Sequence, residues 1–298
     1  MRKVAIIAAL ATATLSGCAV LETKSAPPEP SPPSSAAPTA PPPQSAQPDT
    51  RRLTVADAAK AAESWITTHN TTIKDRDWWD DPALIDELFW AATRHEAILD
   101  RGHVEDGKKH KARKPIRLTG GQTYYVPREQ PPDGEWFIVQ ARYRGQDRDH
   151  LLAFWRPARS PSFKLASKTP VHYGELMPKP VVDAEGYVTA APALTGMAVS
   201  QEYRKFWNEE SRKKAAGNGY RLAKDNYSRE AYAVVSKGLY AAFDSTTQEY
   251  GFRTEDGGSF FMFSLLNKPK YIFQVLTVGV AVKGGGKAIY EIAGDWYA

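Results

Sequence analysis

Cysteine is almost absent from this chain, whose 298 residues include a single one, Cys18. One cysteine cannot form an intramolecular disulfide, which excludes a disulfide-stapled fold. Long apolar runs are missing as well. The two best candidates, residues 4–15 and 271–282, fall short of the ~20 residues that a membrane-spanning helix needs. We therefore expect no transmembrane segment, and the second run is predicted to be a strand.

Familiar catalytic motifs are also missing. The sequence has no Gly-x-Ser-x-Gly elbow, no His-Glu-x-x-His and no phosphate-binding Gly-x-x-x-x-Gly-Lys. Ser211 and Lys214 fit Ser-x-x-Lys, but they lie in a charged run without the Lys-Thr-Gly partner of such sites. Because a catalytic serine needs a desolvated base, this pattern indicates a solvated helix face. We predict no catalytic residue.

No histidine has a partner at metal-ligand spacing. The six histidines are dispersed, with His95 beside Glu96 on a predicted helix and His172 on a predicted strand. Aspartates cluster within residues 75–81, and calcium favours clustered carboxylates. The loop glycine of a calcium site is missing, so we interpret this cluster as an inter-helix turn in which Asp81 caps a helix. We predict no metal and no cofactor.

The net charge gives little indication of a partner. Lysine and arginine outnumber acidic residues 39 to 34, which gives +5. Subtracting Arg2 and Lys3, which belong to the predicted signal, leaves +3. This excess is too weak to indicate a nucleic-acid partner.

The amino terminus is typical of an export signal. Arg2 and Lys3 precede the apolar residues 4–15, and small residues then lead into the cysteine. This segment resembles the lipobox of bacterial lipoproteins through Leu15-Ser16-Gly17-Cys18. The alternative is a plain secreted protein, but an exposed free thiol is a liability in an oxidising compartment.

The lipobox resemblance implies that residues 1–17 are a signal peptide, cleaved before Cys18. It also implies a diacylglycerol in thioether linkage to the Cys18 sulfur and an acylated, for example palmitoylated, new amino terminus. Two or three acyl chains hold a protein firmly, whereas one holds it only marginally. We therefore expect a lipoprotein anchored through Cys18 on the outer, extracytoplasmic face of the cell membrane.

Residues 18–50 are predicted to be a disordered linker. Residues 24–50 hold ten of the 22 prolines and no aromatic residue, so they cannot bury enough apolar surface to fold. Proline biases such a segment towards extended polyproline II structure. We expect a spacer that lifts the folded part off the membrane. A Pro-rich recognition motif and O-glycosylation are the alternatives.

Residues 51–298 contain all eight tryptophans and are predicted to adopt an α+β fold in two halves, residues 51–196 and 197–298. In each half, helices precede a curved antiparallel sheet. Thr54 and Asp81 are predicted helix caps in the first half, and Ser200 and Ser228 in the second. Aromatic and β-branched runs predict the strands 122–126, 135–143, 150–156, 249–254, 259–266, 272–282 and 287–297.

The aromatic strands and one hairpin also carry a family resemblance. The segments are Thr123-Tyr124-Tyr125-Val126-Pro127, Trp136-Phe137-Ile138-Val139, Leu151-Leu152-Ala153-Phe154-Trp155-Arg156 and Asp183-Ala184-Glu185-Gly186-Tyr187. They resemble an uncharacterised family of actinobacterial surface lipoproteins over most of residues 51–298. The element order is similar to the cone-shaped fold of nuclear transport factor 2, which encloses a pocket. The resemblance therefore implies two tandem cones of this type and no known activity.

A basic run at residues 108–114 departs from that family pattern. We expect it to contact anionic lipid headgroups or teichoic polymers, although a solvated surface loop is the alternative. It lacks the interleaved aromatic residues that stack on nucleic-acid bases. The contact residues are predicted to be Lys108, Lys109, Lys111, Arg113 and Lys114.

Large aromatic residues fall on the predicted strands and helices and are expected to form the core. Some would line an apolar pocket if the sheet is curved. The large aromatic residues on these predicted elements are Tyr124, Trp136, Phe154, Trp155, Trp207, Phe261 and Trp296.

The sequence favours a lipid-anchored, non-catalytic ligand-binding or interaction module of the cell envelope. Its expected partners are the membrane, through the lipid on Cys18, and a small apolar ligand or an envelope protein. One alternative is a pocket enzyme, which needs a buried Asp, Glu or His for acid–base chemistry. A second alternative is a structural scaffold for other envelope proteins.

Overall fold

A computed structural model describes residues 52–107, 113–208, 219–225, 227–236, 243–267 and 274–297. Cys18, the signal and the Pro-rich linker lie outside the described residues, as do Ser211 and Lys214. Within the described part, no helix has both the length and the apolar character needed to cross a membrane.

Three helices open the folded part. They are α1 (Val55–Thr72), α2 (Pro82–Leu88) and α3 (Ala91–Glu105), with a 3-10 turn at Trp78–Asp80. Thr54 caps α1 as predicted, because its side chain accepts a hydrogen bond from the Asp57 amide in a capping box. Asp81 caps α2 by accepting a hydrogen bond from the Ala83 amide, and this prediction is also confirmed.

The apolar spacing from Leu84 to Leu99, with Gly102 as a stop, predicts one helix after Asp81, but the structure has two helices there. The chain extends at Phe89 and Trp90, where the Trp90 amide donates to the Leu165 carbonyl over 2.8 Å. Ala91 then takes the left-handed backbone conformation, at φ +44°. A tertiary contact with a strand thus overrides the helical periodicity of the sequence.

A four-stranded antiparallel sheet follows, in the order β1-β2-β3-β4. Its strands are β1 (Leu118–Tyr125), β2 (Gly134–Tyr143), β3 (Asp149–Pro157) and β4 (Lys164–Pro170). The helices pack on one face of this sheet around a core that includes Trp65, Phe89, Phe137 and Phe154. The helices therefore bury their apolar stripes against the sheet.

The second half has two helices among the described residues, α4 (Ala193–Trp207) and α5 (Ser228–Ser236). Its sheet has the path β5-β10-β9-β8-β6, and β7 pairs with β8. The strands are β5 (Arg221–Leu222), β6 (Ser245–Thr246), β7 (Tyr250–Arg253), β8 (Ser259–Leu266), β9 (Val275–Val282) and β10 (Ala288–Tyr297). The α+β prediction of helices followed by a curved antiparallel sheet in each half is confirmed, with one difference: the two-residue strand β5 precedes α5 and pairs with β10 in parallel.

Ser200 is not a helix cap, which corrects the prediction for α4. The helix begins seven residues earlier, after Pro192, so Ser200 lies inside it. Its hydroxyl is buried 2.5 Å from Glu249 Oε1. Ser200 is therefore held by a buried contact between the helix and the residue that precedes β7, which explains why a serine is tolerated within the helix.

The two sheets share a core. Apolar residues of both, among them Ile138, Leu151, Phe252 and Phe260, form one buried cluster. Buried hydroxyls also cross between the sheets. Ser167 Oγ in β4 lies 3.0 Å from Ser264 Oγ in β8, which lies 2.8 Å from Thr277 Oγ1 in β9. Such directional contacts fix how the sheets meet.

Candidate functional site

A group of polar side chains lies where α3 packs against both sheets. We call it the Glu96 cluster, and its members are Glu96 of α3, Tyr143 of β2, His150 of β3, Lys168 of β4 and Asp295 of β10. These residues come from five elements and are far apart in sequence. Their convergence is therefore a product of the tertiary fold.

Glu96 is the most deeply buried member of this cluster. Helical spacing places it on the buried face of α3 with Ala92 and Leu99, and only 3% of the residue is exposed. Lys168 Nζ lies 2.9 Å from Glu96 Oε2, but this oxygen has no hydrogen bond of good geometry within the described residues. A buried carboxylate with one imperfect partner is costly, which is a common property of functional sites.

Asp295 faces the same helix from β10. Asp295 and Tyr297 are two residues apart and share one face of the strand, and the Tyr297 hydroxyl donates to Asp100 of α3. Since Glu96 is one turn before Asp100, Asp295 lies at the level of Glu96. Desolvation, followed by the negative charge of Glu96, raises the pKa of Asp295, while Lys168 acts in the opposite direction.

Tyr143 and His150 form an aromatic wall of the cluster. Their rings stack with centroids 4.3 Å apart and planes at 17°. The His150 Nδ1 atom is buried and makes no hydrogen bond of good geometry within the described residues. Burial, assisted by the charge of Arg148, lowers the pKa of His150 to about 4. His150 therefore presents a neutral imidazole at neutral pH.

A second polar group lies on the other side of β10, which we call the Glu291 cluster. It contains His172, Tyr203, Tyr227 and Glu291. The Tyr203 hydroxyl donates to Glu291 Oε2 over 2.5 Å, and His172 Nε2 lies 2.8 Å from Glu291 Oε1. The Tyr227 ring stacks on His172 with centroids 4.0 Å apart. Burial and the Glu291 charge raise the pKa of Tyr203, so its hydroxyl stays protonated.

A bulge in β10 and a glycine make room for this second cluster. The pairing of β10 with β9 shifts between Glu291 and Ala293, which reorients side chains locally. A Cβ on Gly294 would lie 2.6 Å from Glu291 Oε1 and 3.0 Å from His172 Nε2. A carboxylate that orients an imidazole in this way is the arrangement used for general acid–base catalysis.

The predicted basic contact residues fall into three groups. Lys108, Lys109 and Lys111 lie outside the described residues, and Lys114 is exposed. Arg113 pairs with Asp100 at 2.8 Å, with both side chains only 15% exposed, and its guanidinium lies over the Trp78 ring. The charge of Arg113 is therefore already balanced inside the fold.

The other residues that the sequence suggested as candidates form turns or pack in the core. Asp75 accepts a hydrogen bond from the Asp77 amide within its turn, and the described residues contain no group of three or more metal-type ligands. Trp296 is partly exposed, whereas most of the predicted core aromatics are buried, namely Trp136, Phe154, Trp155, Trp207 and Phe261. Sequence spacing could not reveal either polar cluster, because their members meet only through the packing of helices and strands that are separate in the sequence.

The architecture defines an α+β protein in which two helix-plus-sheet units share a core. The chain belongs to a family described as "Domain of unknown function (DUF8094)", which matches residues 49–291. No curated protein and no solved structure matches the chain.

Proposed function

We propose that this protein is a lipid-anchored ligand-binding module on the extracytoplasmic face of the cell envelope. The lipid-anchored, extracytoplasmic location is supported by the sequence Leu15-Ser16-Gly17-Cys18, which follows a short apolar run. The match to the family starts at residue 49, where the Pro-rich linker ends. This order is that of an anchor, a spacer and a folded domain. We also place the protein among the surface lipoproteins of actinobacteria.

The ligand-binding part of the proposal depends on Glu96. Glu96 is 3% exposed, and among the described residues its Oε2 atom has no well-formed hydrogen bond, although the partly exposed Lys168 lies beside it. This arrangement favours a ligand that supplies the missing donors. The cluster lies between helices and the sheet they cover, as in the cone-shaped fold of nuclear transport factor 2, which we infer for each half.

The proposal also includes a contact between the basic residues 108–114 and an anionic membrane or polymer. Lys114 is exposed, and Arg113 is tied to Asp100. We propose that Arg113 anchors the end of this segment and leaves Lys108, Lys109, Lys111 and Lys114 to meet anionic headgroups or teichoic polymers.

Replacing Cys18 with alanine is expected to remove the protein from the membrane fraction or to block its maturation, because the lipid has no other attachment atom. Cell fractionation and intact mass measure this directly. Ser16→Ala keeps a small residue in the motif and serves as the matched control, which should still mature and fractionate with membranes. A Cys18→Ala protein that stays membrane-bound with an unchanged mature mass would contradict the anchor.

The Glu291 cluster favours a second candidate function, acid–base catalysis. His172 is oriented by Glu291, and Tyr203 holds the other carboxylate oxygen. If this candidate is correct, the purified protein turns over a generic ester, glycoside or peptide substrate. His172→Gln should then abolish turnover, whereas His103→Gln, at the end of α3, should not. Equal rates in both variants would remove the candidate.

A further inference from the structure

The Glu96 cluster has acceptors and donors that the protein itself leaves incompletely used. Glu96 Oε2 and His150 Nδ1 are both buried without a well-formed hydrogen bond in the described part of the chain. Lys168 has three N–H donors and one carboxylate neighbour, Glu96, at 2.9 Å. A ligand for this site must therefore both donate and accept hydrogen bonds.

The charges of the site nearly cancel. The carboxylates of Glu96 and Asp295 face the cations of Lys168 and Arg148, both of which act on Asp295 and on His150. The charge of Asp149, which also acts on His150, is paired with Arg142 at 2.9 Å. His150 itself is neutral near pH 7 because burial lowers its pKa to about 4. A strongly cationic or anionic ligand would upset this balance and leave one protein charge uncompensated.

Access to the buried carboxylate is from the edge of the cluster. The Lys168 side chain is 32% exposed, whereas that of Glu96 is 4% exposed. Asp295 is exposed, and the stacked rings of Tyr143 and His150 provide an apolar wall. A ligand entering beside Lys168 would contact the charged edge first and reach Glu96 at its inner end.

A hydroxyl group donates and accepts through a single oxygen atom without carrying charge. We propose that the Glu96 cluster binds a neutral polyhydroxylated ligand, a sugar, whose hydroxyls bridge Glu96 and Lys168. This inference rests on the proposed ligand-binding function and specifies its ligand class. Asp295 accepts from further hydroxyls at the edge, and Tyr143 packs against the sugar ring.

The test is calorimetric titration of the full chain with three sugars that share the glucose ring and differ in charge. Glucose is neutral, glucosamine is cationic and glucuronate is anionic, and galactose, mannose and arabinose extend the neutral set. We expect at least one neutral sugar to bind, and its charged counterpart to bind about tenfold more weakly or not at all. Glu96→Gln should weaken binding about tenfold or more, since it removes a charged acceptor.

Glu202→Gln is the matched control. Glu202 is also buried, pairs with one cation, Arg221, and has an unpartnered oxygen within the described residues, but it lies on α4 outside the cluster. This variant should bind like the wild type. If Glu96→Gln fails to fold, Lys168→Gln replaces it with the same expected loss, because Lys168 lies at the exposed edge.

The outcomes separate the ligand class from the wider proposal. Tighter binding of glucosamine or glucuronate than of every neutral sugar overturns the class. So does sugar binding that both Glu96→Gln and Lys168→Gln leave unchanged. If no sugar binds but native mass spectrometry finds another retained small molecule, the sugar inference fails and the ligand-binding function stands. A ligand-free mass with no sugar binding rejects both.

Discussion

Acidification is expected to destabilise the folded domain between pH 6.5 and about pH 4, because two buried histidines must stay neutral. Burial lowers the pKa of both His69 and His150 from 6.5 to about 4. The unfolded chain therefore takes up these protons at a higher pH than the folded one, and stability falls with falling pH across this window. For each histidine the loss reaches about 3 kcal/mol at the acidic end of this window.

The surroundings of both rings explain why protonation is unfavourable. His69 is 3% exposed and stacks on Trp65 at 4.9 Å. After burial, the hydrogen bond with Asn70 is the next largest effect and favours a proton on the ring, whereas the positive charges of Arg113 and Lys168 oppose it. His150 has Arg148 and Lys168 nearby. A proton on either ring would thus be a buried charge beside existing cations.

Urea unfolding at neutral pH and near pH 4.5, within this window, measures the effect. His69→Gln and His150→Gln each remove one titrating ring, so each variant should lose less stability on acidification than the wild type. The raised pKa of Asp295 acts in the opposite direction, but it is present in all three proteins and cancels in the comparison. Identical pH dependence in wild type and both variants would contradict the prediction.

Gly279→Val is expected to destabilise the fold by about 3 kcal/mol or more, because overpacking here forces two sheets apart. Gly279 lies in the buried strand β9, and a Cβ there would lie 2.9 Å from the Phe260 ring. It would also lie 3.2 Å from both Leu151 of the first sheet and Ala293 of β10. The residue therefore sets how closely the sheets approach.

Gly121→Val is the matched control in β1. A Cβ at Gly121 meets no atom within 4 Å, and this part of the strand is exposed. The same substitution should therefore change the free energy of unfolding by less than about 1 kcal/mol. Thermal unfolding measures the loss of stability in both variants. An equal loss in the two would show that the close contact at Gly279 has no special role.

The helices and strands follow from local sequence, but several boundaries do not. Thr54 and Asp81 cap helices because their side chains accept from amides two or three residues on, which is a local property. The break between α2 and α3 depends on the Leu165 carbonyl, far along the chain. No local pattern contains that information, so the periodicity of the segment predicted one helix.

Both polar clusters escaped prediction for the same reason. His172 and Glu291 are 119 residues apart, and Glu96 meets Lys168 only because α3 packs on β4. Each residue alone has the pattern of an ordinary strand or helix position. The spacing of His95 and Glu96 in sequence gave no indication that Glu96 is the buried member and that its partner is a lysine.

Strand β10 carries residues of both clusters on opposite faces, Glu291 on one and Asp295 on the other. It also covers β9, whose sequence Val275–Val282 is almost entirely apolar. Loss of β10 by proteolysis would therefore take Glu291 from one cluster and Asp295 from the other, and would leave β9 as an open apolar edge. Such an edge pairs readily with other chains, so the strand that completes the polar clusters also protects the protein from aggregation.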